Sequence, residues 1–332
     1  MPLKVGMLGV GHVHAPSYVH CLCQSTEAEY LGHWDKDAAL RAAFAAQTGS
    51  KDNADRDALI AASDAVVIAG ENLDHADLIE AAVAHGKPVL CEKPLAANED
   101  QRARIARAGA KALVMTAFPC PFAPAFESAL AKIEAGDIGK ILSVCATNHG
   151  KCPGGWFTDV AKSGGGAMAD HVAHVADLLR RLTAEEPRRV YAVTGSNMYG
   201  EGWEDTAMLS IEFPSGVFAT LDSSWSRPKS FKTWGDVTLK IVGEKGVIEL
   251  DLFVQALDWF GDSSGAHGLV GFGSDLDQAM VGEFLRAVRG EGQARVSLAD
   301  GLAASDLVLA AYQSAKSGQP VSVGQTTSTL PR

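Results

Sequence analysis

Asp170 and His174 stand four residues apart in Ala169-Asp170-His171-Val172-Ala173-His174, a spacing that puts both on one face of a helix. A histidine, with an ordinary pKa of about 6.5, can take a hydroxyl proton near neutral pH as hydride leaves the same carbon. A carboxylate beside it can orient the ring and steady its cation. Alone, such a pair is equally an acid in a helix's first turn beside an exposed histidine. A lysine changes the reading. Lys93 follows a short apolar run in Pro88-Val89-Leu90-Cys91-Glu92-Lys93-Pro94, and an ammonium can stabilise charge developing on an alkoxide oxygen.

Hydride needs an acceptor, and the N-terminus offers a place for one. Gly9-Val10-Gly11-His12-Val13-His14 follows an apolar run and opens a helical one, the context of a dinucleotide fingerprint. Gly9 allows the tight turn, Gly11 lets the backbone approach a pyrophosphate, and helix N-terminal amides hold the phosphates. The third glycine of the usual pattern is replaced by His14. Asp35, 24 residues beyond Gly11, is placed to accept the ribose 2′-hydroxyl and to repel a 2′-phosphate. NAD is therefore the expected cofactor, although Lys36 leaves NADP open.

Other clusters compete. His12, His14, His20, Cys21 and Cys23 crowd one stretch, but no zinc-ligand spacing emerges, and they read as helix packing and turn residues. His171 and His174, at i and i+3, also have a ligand spacing that Asp170 could join, but a metal there is the second choice, since Lys93 would place a cation beside it. No metal is expected. Gly261-Asp262-Ser263-Ser264-Gly265 matches a hydrolase nucleophile elbow, which needs a strand, a helix and a downstream histidine. Only His267 follows, among glycines, so the segment reads as a flexible loop. Trp156 and His149, ahead of the glycine run 164–166, are assigned to a substrate pocket.

Elements must hold these residues in place. Strand-like runs at 5–9, 30–34, 65–69, 88–91 and 112–117 alternate with helical runs at 15–24, 38–47, 57–62, 75–85 and 99–108, predicting a parallel α/β sheet. Phe118-Pro119-Cys120-Pro121-Phe122-Ala123-Pro124 is the sharpest break. The expected domains are 1–118, binding dinucleotide, and 119–326, binding substrate and carrying oligomer contacts. The second half reads as helices at 125–135, 167–182, 276–288 and 298–315 with strands at 141–147, 190–194, 206–213, 217–223, 237–242 and 247–252. That is a mostly antiparallel sheet with helices on one face. The tail from 325 is read as loose.

Composition narrows the function. Forty acidic against 29 basic residues give a net charge of −11, which argues against nucleic-acid or anionic-membrane partners. No apolar run approaches the ~18 residues of a membrane span. Met1-Pro2-Leu3-Lys4 leads into an apolar stretch without a signal-cleavage pattern, and six scattered cysteines read as reduced thiols. A cytoplasmic location is expected.

In order, Gly9-Val10-Gly11, Asn72-Leu73-Asp74-His75, Glu92-Lys93-Pro94, the run from Gly164-Gly165-Gly166 to Asp177, and Ser314-Ala315-Lys316-Ser317-Gly318-Gln319-Pro320-Val321 resemble the glucose–fructose oxidoreductase / inositol dehydrogenase / rhizopine-catabolism (Gfo/Idh/MocA) family. The resemblance spans nearly the whole chain. It implies an N-terminal Rossmann domain followed by an α+β domain. It implies that Lys93 meets substrate and nicotinamide, with Asp170 and His174 completing the catalytic group. Cofactor contacts are expected from Gly9, Gly11, His12, Val13, Asp35, Asn72, His75, Glu92 and Lys93. Substrate contacts are expected from Lys93, His149, Trp156, Asp170, His171 and His174. Two stretches depart: Gly70-Glu71 stand where the family often has Thr-Pro, and 118–122 lack the basic residue many members carry. The expected activity is hydride transfer between nicotinamide and a secondary hydroxyl of a sugar, cyclitol or related polyol, by a homodimer or homotetramer. An NAD-assisted hydrolase or lyase without net redox change, or a non-catalytic regulator on the same fold, are the alternatives.

Overall fold

The computed structural model describes residues 1–261, 266–271 and 273–324, with 256–261 and 266–271 described as backbone. In chain order the elements are β1 (Leu3–Leu8), α1 (Ala15–Gln24), β2 (Ala28–Trp34), α2 (Ala38–Thr48), α3 (Arg56–Ala62), β3 (Ala65–Ile68), α4 (His75–Ala84), β4 (Val89–Cys91), α5 (Glu99–Gly109) and β5 (Val114–Thr116). There follow α6 (Pro124–Glu134), β6 (Ile141–Gly150), α7 (Val160–Ser163), α8 (Ala167–Thr183), β7 (Arg189–Gly195), β8 (Thr206–Glu212), β9 (Phe218–Ser224), β10 (Gly235–Gly243) and β11 (Val247–Asp251). The last are β12 (Ala256–Gly261), β13 (Ala266–Gly271), α9 (Leu276–Val288), α10 (Leu298–Ser317) and β14 (Val321–Ser322). The nucleophile-elbow segment 262–265, the side chain of His267 and the tail from 325 lie outside the described residues.

The chain forms two compact units. One gathers Met1–Pro119, Pro153–Ala173 and Asp277–Leu309; the other holds Cys120–Cys152, His174–Leu276 and the described residues from Ala310 on. The sequence boundary after residue 118 is a single cut, whereas the chain returns to the first unit twice. Apolar burial draws it back: Leu302 is buried in the first unit's core and Leu298 packs against that core.

In the first unit five strands run parallel in the order β2-β1-β3-β4-β5. β3 and β4 bury every residue, as strands covered on both faces must, so their sequences are continuous apolar runs rather than alternating ones. The helices between them begin at short polar side chains. Asp37 accepts from the amides of Ala39 and Leu40, Asp55 from Ala58 and Asn98 from Gln101, each a cap worth about 1 kcal/mol. The order reverses between β1 and β3. In open α/β sheets a ligand crevice lies at the carboxyl ends of such a switch point.

The second unit carries a seven-stranded sheet in the order β11-β10-β6-β9-β8-β7-β14. It is antiparallel except where β6 pairs with β9 in parallel. The strands alternate: Val190, Ala192, Ala207, Leu209, Ile211, Ala219 and Leu221 are buried, while Tyr191, Val193, Met208 and Phe218 between them are exposed. The β12–β13 hairpin was not anticipated by the sequence reading, because its glycine-rich apolar stretch carries no clear period. Among the described residues no helix is long and apolar enough to cross a membrane.

Candidate active site

The turn after β1 is built around Gly9. Its φ is +77°, and a Cβ there would fall 2.4 Å from the Cα of Gly70, so only glycine lets the loops after β1 and β3 pass this closely. Asp35, at the end of β2, fixes the same turn. Its buried carboxylate accepts the amide of Val10 at 2.9 Å and that of Asp37 at 2.9 Å. Burial raises its pKa, and the two amides work against that rise. The amides of Gly11 and Val13 find no acceptor among the described residues. Trp156 closes over the turn, donating from Nε1 to the Gly11 carbonyl at 2.7 Å and stacking on Phe157. A left-handed glycine, free amides ahead of α1 and a carboxylate at the end of β2 fit a dinucleotide.

Next to the turn lies a wholly buried carboxylate. Glu92 Oε1 is 3.2 Å from His12 Nδ1 and 2.9 Å from His14 Nδ1, and the buried Tyr18 hydroxyl donates to the same oxygen. Glu92 Oε2 accepts the amide of Lys93 at 2.9 Å. Burial alone would raise the Glu92 pKa, but the surrounding imidazoles and Lys93 hold it below the usual carboxylate range. Burial pushes His12 well down, whereas contact with Glu92 lifts His14 above its ordinary value against the effect of burial.

Lys93 turns the other way. Its buried ammonium donates to Asp170 Oδ1 at 2.6 Å and to the Asp170 carbonyl at 3.2 Å. Asp170 Oδ2 is 3.2 Å from His171 Nε2. Burial would raise Asp170, yet the Lys93 charge and then His171 pull its pKa well below the ordinary value. The carboxylate therefore stays ionised, which keeps the buried ammonium in partnership. Such a pair is specific rather than strongly stabilising, because desolvation offsets much of its attraction. Two further residues brace this end of the sheet. Asn72 donates to the Ser163 carbonyl at 2.8 Å, and His75 Nδ1 donates to the Pro94 carbonyl at 3.1 Å. Burial lowers the His75 pKa, so the ring stays neutral.

The first unit thus gathers Gly9, Gly11, His12, Val13, Asp35, Asn72, His75, Glu92, Lys93, Trp156, Asp170 and His171. His149 and His174 belong to the second unit. His174, one turn beyond Asp170 in α8, has Nδ1 3.9 Å from Cys120 Sγ. His149 lies on the sheet face opposite the buried one, with Nδ1 2.9 Å from Asp236 Oδ1 and Nε2 3.3 Å from Asp222 Oδ2. Burial would lower its pKa, but the two carboxylates raise it.

Tyr18 is a site residue that the sequence reading passed over, and His14 was read only as a turn residue. Their i, i+4 spacing at the start of α1 places both over one neighbour, and that signal was available. Glu71 and Asp74 were also missed as a pair. Lys36 Nζ lies 2.8 Å from Glu71 and 2.6 Å from Asp74, and Lys162 Nζ lies 2.8 Å from Glu71. No sequence period links these positions.

Comparison with known proteins agrees with the fold. A family model described as "Oxidoreductase family, NAD-binding Rossmann fold" matches residues 3–117, and one described as "GFO/IDH/MocA C-terminal domain" matches residues 126–249. The chain is 26% identical over 331 residues to 1,5-anhydro-D-fructose reductase of Ensifer adhaerens, covering 96% of this chain and 98% of that one. It is 31% identical over 231 residues to inositol 2-dehydrogenase 4 of Saccharopolyspora erythraea, covering 66% of each chain. The crystal structure of GenD2 from gentamicin A biosynthesis, in complex with NAD, shares the fold with a TM-score of 0.87 at 22% identity, covering 98% of this chain and 97% of that one. The chain belongs to the Gfo/Idh/MocA family of NAD(P)-binding oxidoreductases.

Proposed function

We propose that this chain is an NAD-dependent dehydrogenase acting on a secondary hydroxyl of a sugar, cyclitol or related polyol. The observation that carries the reading is the buried Lys93 ammonium, held 2.6 Å from an ionised Asp170 at the carboxyl end of β4. A buried ammonium without further work is costly, and here it stands at the ligand-binding edge of a nucleotide fold. The substrate class is supported by relatives named for an anhydro-sugar and for inositol.

The cofactor, when bound, accepts hydride from the carbon bearing the hydroxyl. The chain's own residues handle the proton and the charge. Lys93 donates to the reacting oxygen and stabilises its developing negative charge. Asp170 positions Lys93. His174, one helical turn further along α8, receives the hydroxyl proton. His171 and Trp156 border the substrate.

NAD is preferred over NADP. Asp35 stands at the end of β2, and the basic neighbours Lys36 and Lys162 are already paired with Glu71 and Asp74. A 2′-phosphate would meet carboxylates before it met a free cation. Initial rates on a panel of polyols, aldoses and cyclitols, read by absorbance of reduced nicotinamide, test the activity. Net NADH formation with a member of the panel is expected. Turnover without net cofactor change would instead mark internally balanced redox. Parallel titrations with both cofactors test the preference, and equal or tighter NADP binding refutes it.

The exposed Tyr191, Val193, Met208 and Phe218 share one face of the second unit's sheet. Four large apolar side chains on one face, with Val193 directly opposite Met208, suit burial against a second copy, so a homo-oligomer is part of the proposal.

A further inference from the structure

We infer that His12, His14 and Glu92 form a binding site for one divalent transition-metal ion of the zinc class. The three side chains offer one ligand atom each, two imidazole nitrogens and a carboxylate oxygen, all within 4.8 Å of one another. Both nitrogens face the same oxygen, at 3.2 and 2.9 Å. A tetrahedral ion bonded at about 2.1 Å to each ligand sets its ligands roughly 3.4 Å apart, close to the two nitrogen–oxygen separations.

Hydrogen bonding alone leaves this cluster unsettled. The amide of His14 donates to His12 Nδ1 at 3.3 Å, which requires a lone pair on that nitrogen. The same nitrogen faces Glu92 Oε1, so two lone pairs would meet with no hydrogen between them. Placing the proton on Nδ1 instead loses the amide bond and puts three donors on one oxygen. His12 Nε2 has no partner among the described residues, whichever ring nitrogen carries the proton. A cation between the three atoms takes the converging lone pairs of both rings and of Glu92 Oε1 at once, in exchange for the long His14 amide contact.

The surroundings suit a cation. Glu92 is anchored from behind by the Lys93 amide on Oε2 and by the Tyr18 hydroxyl on Oε1, the kind of outer contacts that orient metal ligands. The positive charge of Lys93 is matched by Asp170 at 2.6 Å. The start of α1 opposes a cation with about half a charge, which the full charge of Glu92 outweighs. His14 is partly exposed and gives the ion a way in. Two imidazoles and one carboxylate suit zinc or a neighbouring first-row ion. Glu92 lies 78 residues from His14 in sequence, so ligand spacing could not reveal the set.

The test uses the full-length, tag-free protein, stripped with a chelator and dialysed. It is titrated with zinc chloride by calorimetry and with cobalt(II) by visible absorption. One equivalent of metal per chain is expected, with cobalt bands of low-coordinate form. Losing an outer contact to a metal ligand weakens affinity roughly 10–100-fold. Losing a ligand in His12→Ala, His14→Ala or Glu92→Gln should cost more than about a hundredfold. Circular dichroism of the stripped variants establishes folding, and if Glu92→Gln fails to fold, the two histidine variants decide. Substoichiometric binding by the parent protein, or undiminished binding by the folded histidine variants, overturns the inference. Metal held by thiols would survive the histidine substitutions and so counts as the second of these outcomes.

Discussion

Lys93 and His174 divide the proposed chemistry, and their substitutions should differ. His174→Ala is expected to cut turnover by about a hundredfold or more, the usual scale for proton transfer by a side chain. Cofactor affinity should hold, and activity should recover partly at high pH, where hydroxide replaces the base. Lys93→Met should lower turnover as severely and also weaken cofactor binding, because its strand end adjoins the glycine turn. Near-normal turnover of folded His174→Ala on the true substrate would move the proton-transfer role to Lys93. Asp170→Asn removes the charge facing a buried ammonium. Breaking a buried pair by removing one partner costs about 3–5 kcal/mol, so its thermal midpoint should fall along with its rate.

At the scale of elements, the turn between β1 and α1 is the most sensitive. Gly9→Ala must place a Cβ 2.4 Å from the Gly70 backbone while holding φ at +77°. The left-handed conformation alone costs about 1–2 kcal/mol, and the backbone contact adds to it. The expected result is loss of measurable NAD binding by fluorescence titration together with a lower unfolding midpoint. Retained binding at wild-type affinity would show that the β1 and β3 loops separate easily. Much at this scale was legible in the sequence. The helices at 15–24 and 276–288 match their observed spans, since Pro16 at the first turn and Asp277 at the start mark them. β12 and β13 were missed because glycines at 261, 265, 268 and 271 obscure a period of two.

For the whole molecule, pH and concentration are the informative variables. His149 carries a raised pKa from Asp236 and Asp222, with Arg227 and Thr147 bonded to the same Asp236. A histidine whose folded pKa exceeds its unfolded value of about 6.5 contributes stability in full below that pH and loses it as pH rises through the folded value. The unfolding midpoint should therefore fall more steeply as pH rises above about 6.5 in the parent protein than in His149→Gln. A parallel pH profile for the two would exclude His149 as a source. Light scattering at micromolar concentration should give a dimer or tetramer mass, and Met208→Glu with Phe218→Lys should shift it toward monomer. A monomeric parent protein would remove the oligomer from the proposal.

The sequence alone determined the parallel sheet, the succession of strands and helices along the chain and the glycine turn, and its ordered motifs carried the resemblance that names Lys93, Asp170 and His174. These are local signals: apolar periods, caps, turns and ordered motifs act over a few residues, where chain connectivity fixes distance. Tertiary structure decided which groups share a proton or a charge. Glu92 meets His12, His14 and Tyr18, Lys93 meets Asp170 across 77 residues, and Lys36 is taken by Glu71 and Asp74. His149 emerged on the sheet face opposite the buried one, among carboxylates. Such pairings depend on how strands and loops far apart in the chain are brought side by side by the burial of apolar surface. No spacing in a single sequence encodes that juxtaposition, because the burial that creates it is a property of the folded core rather than of any one segment.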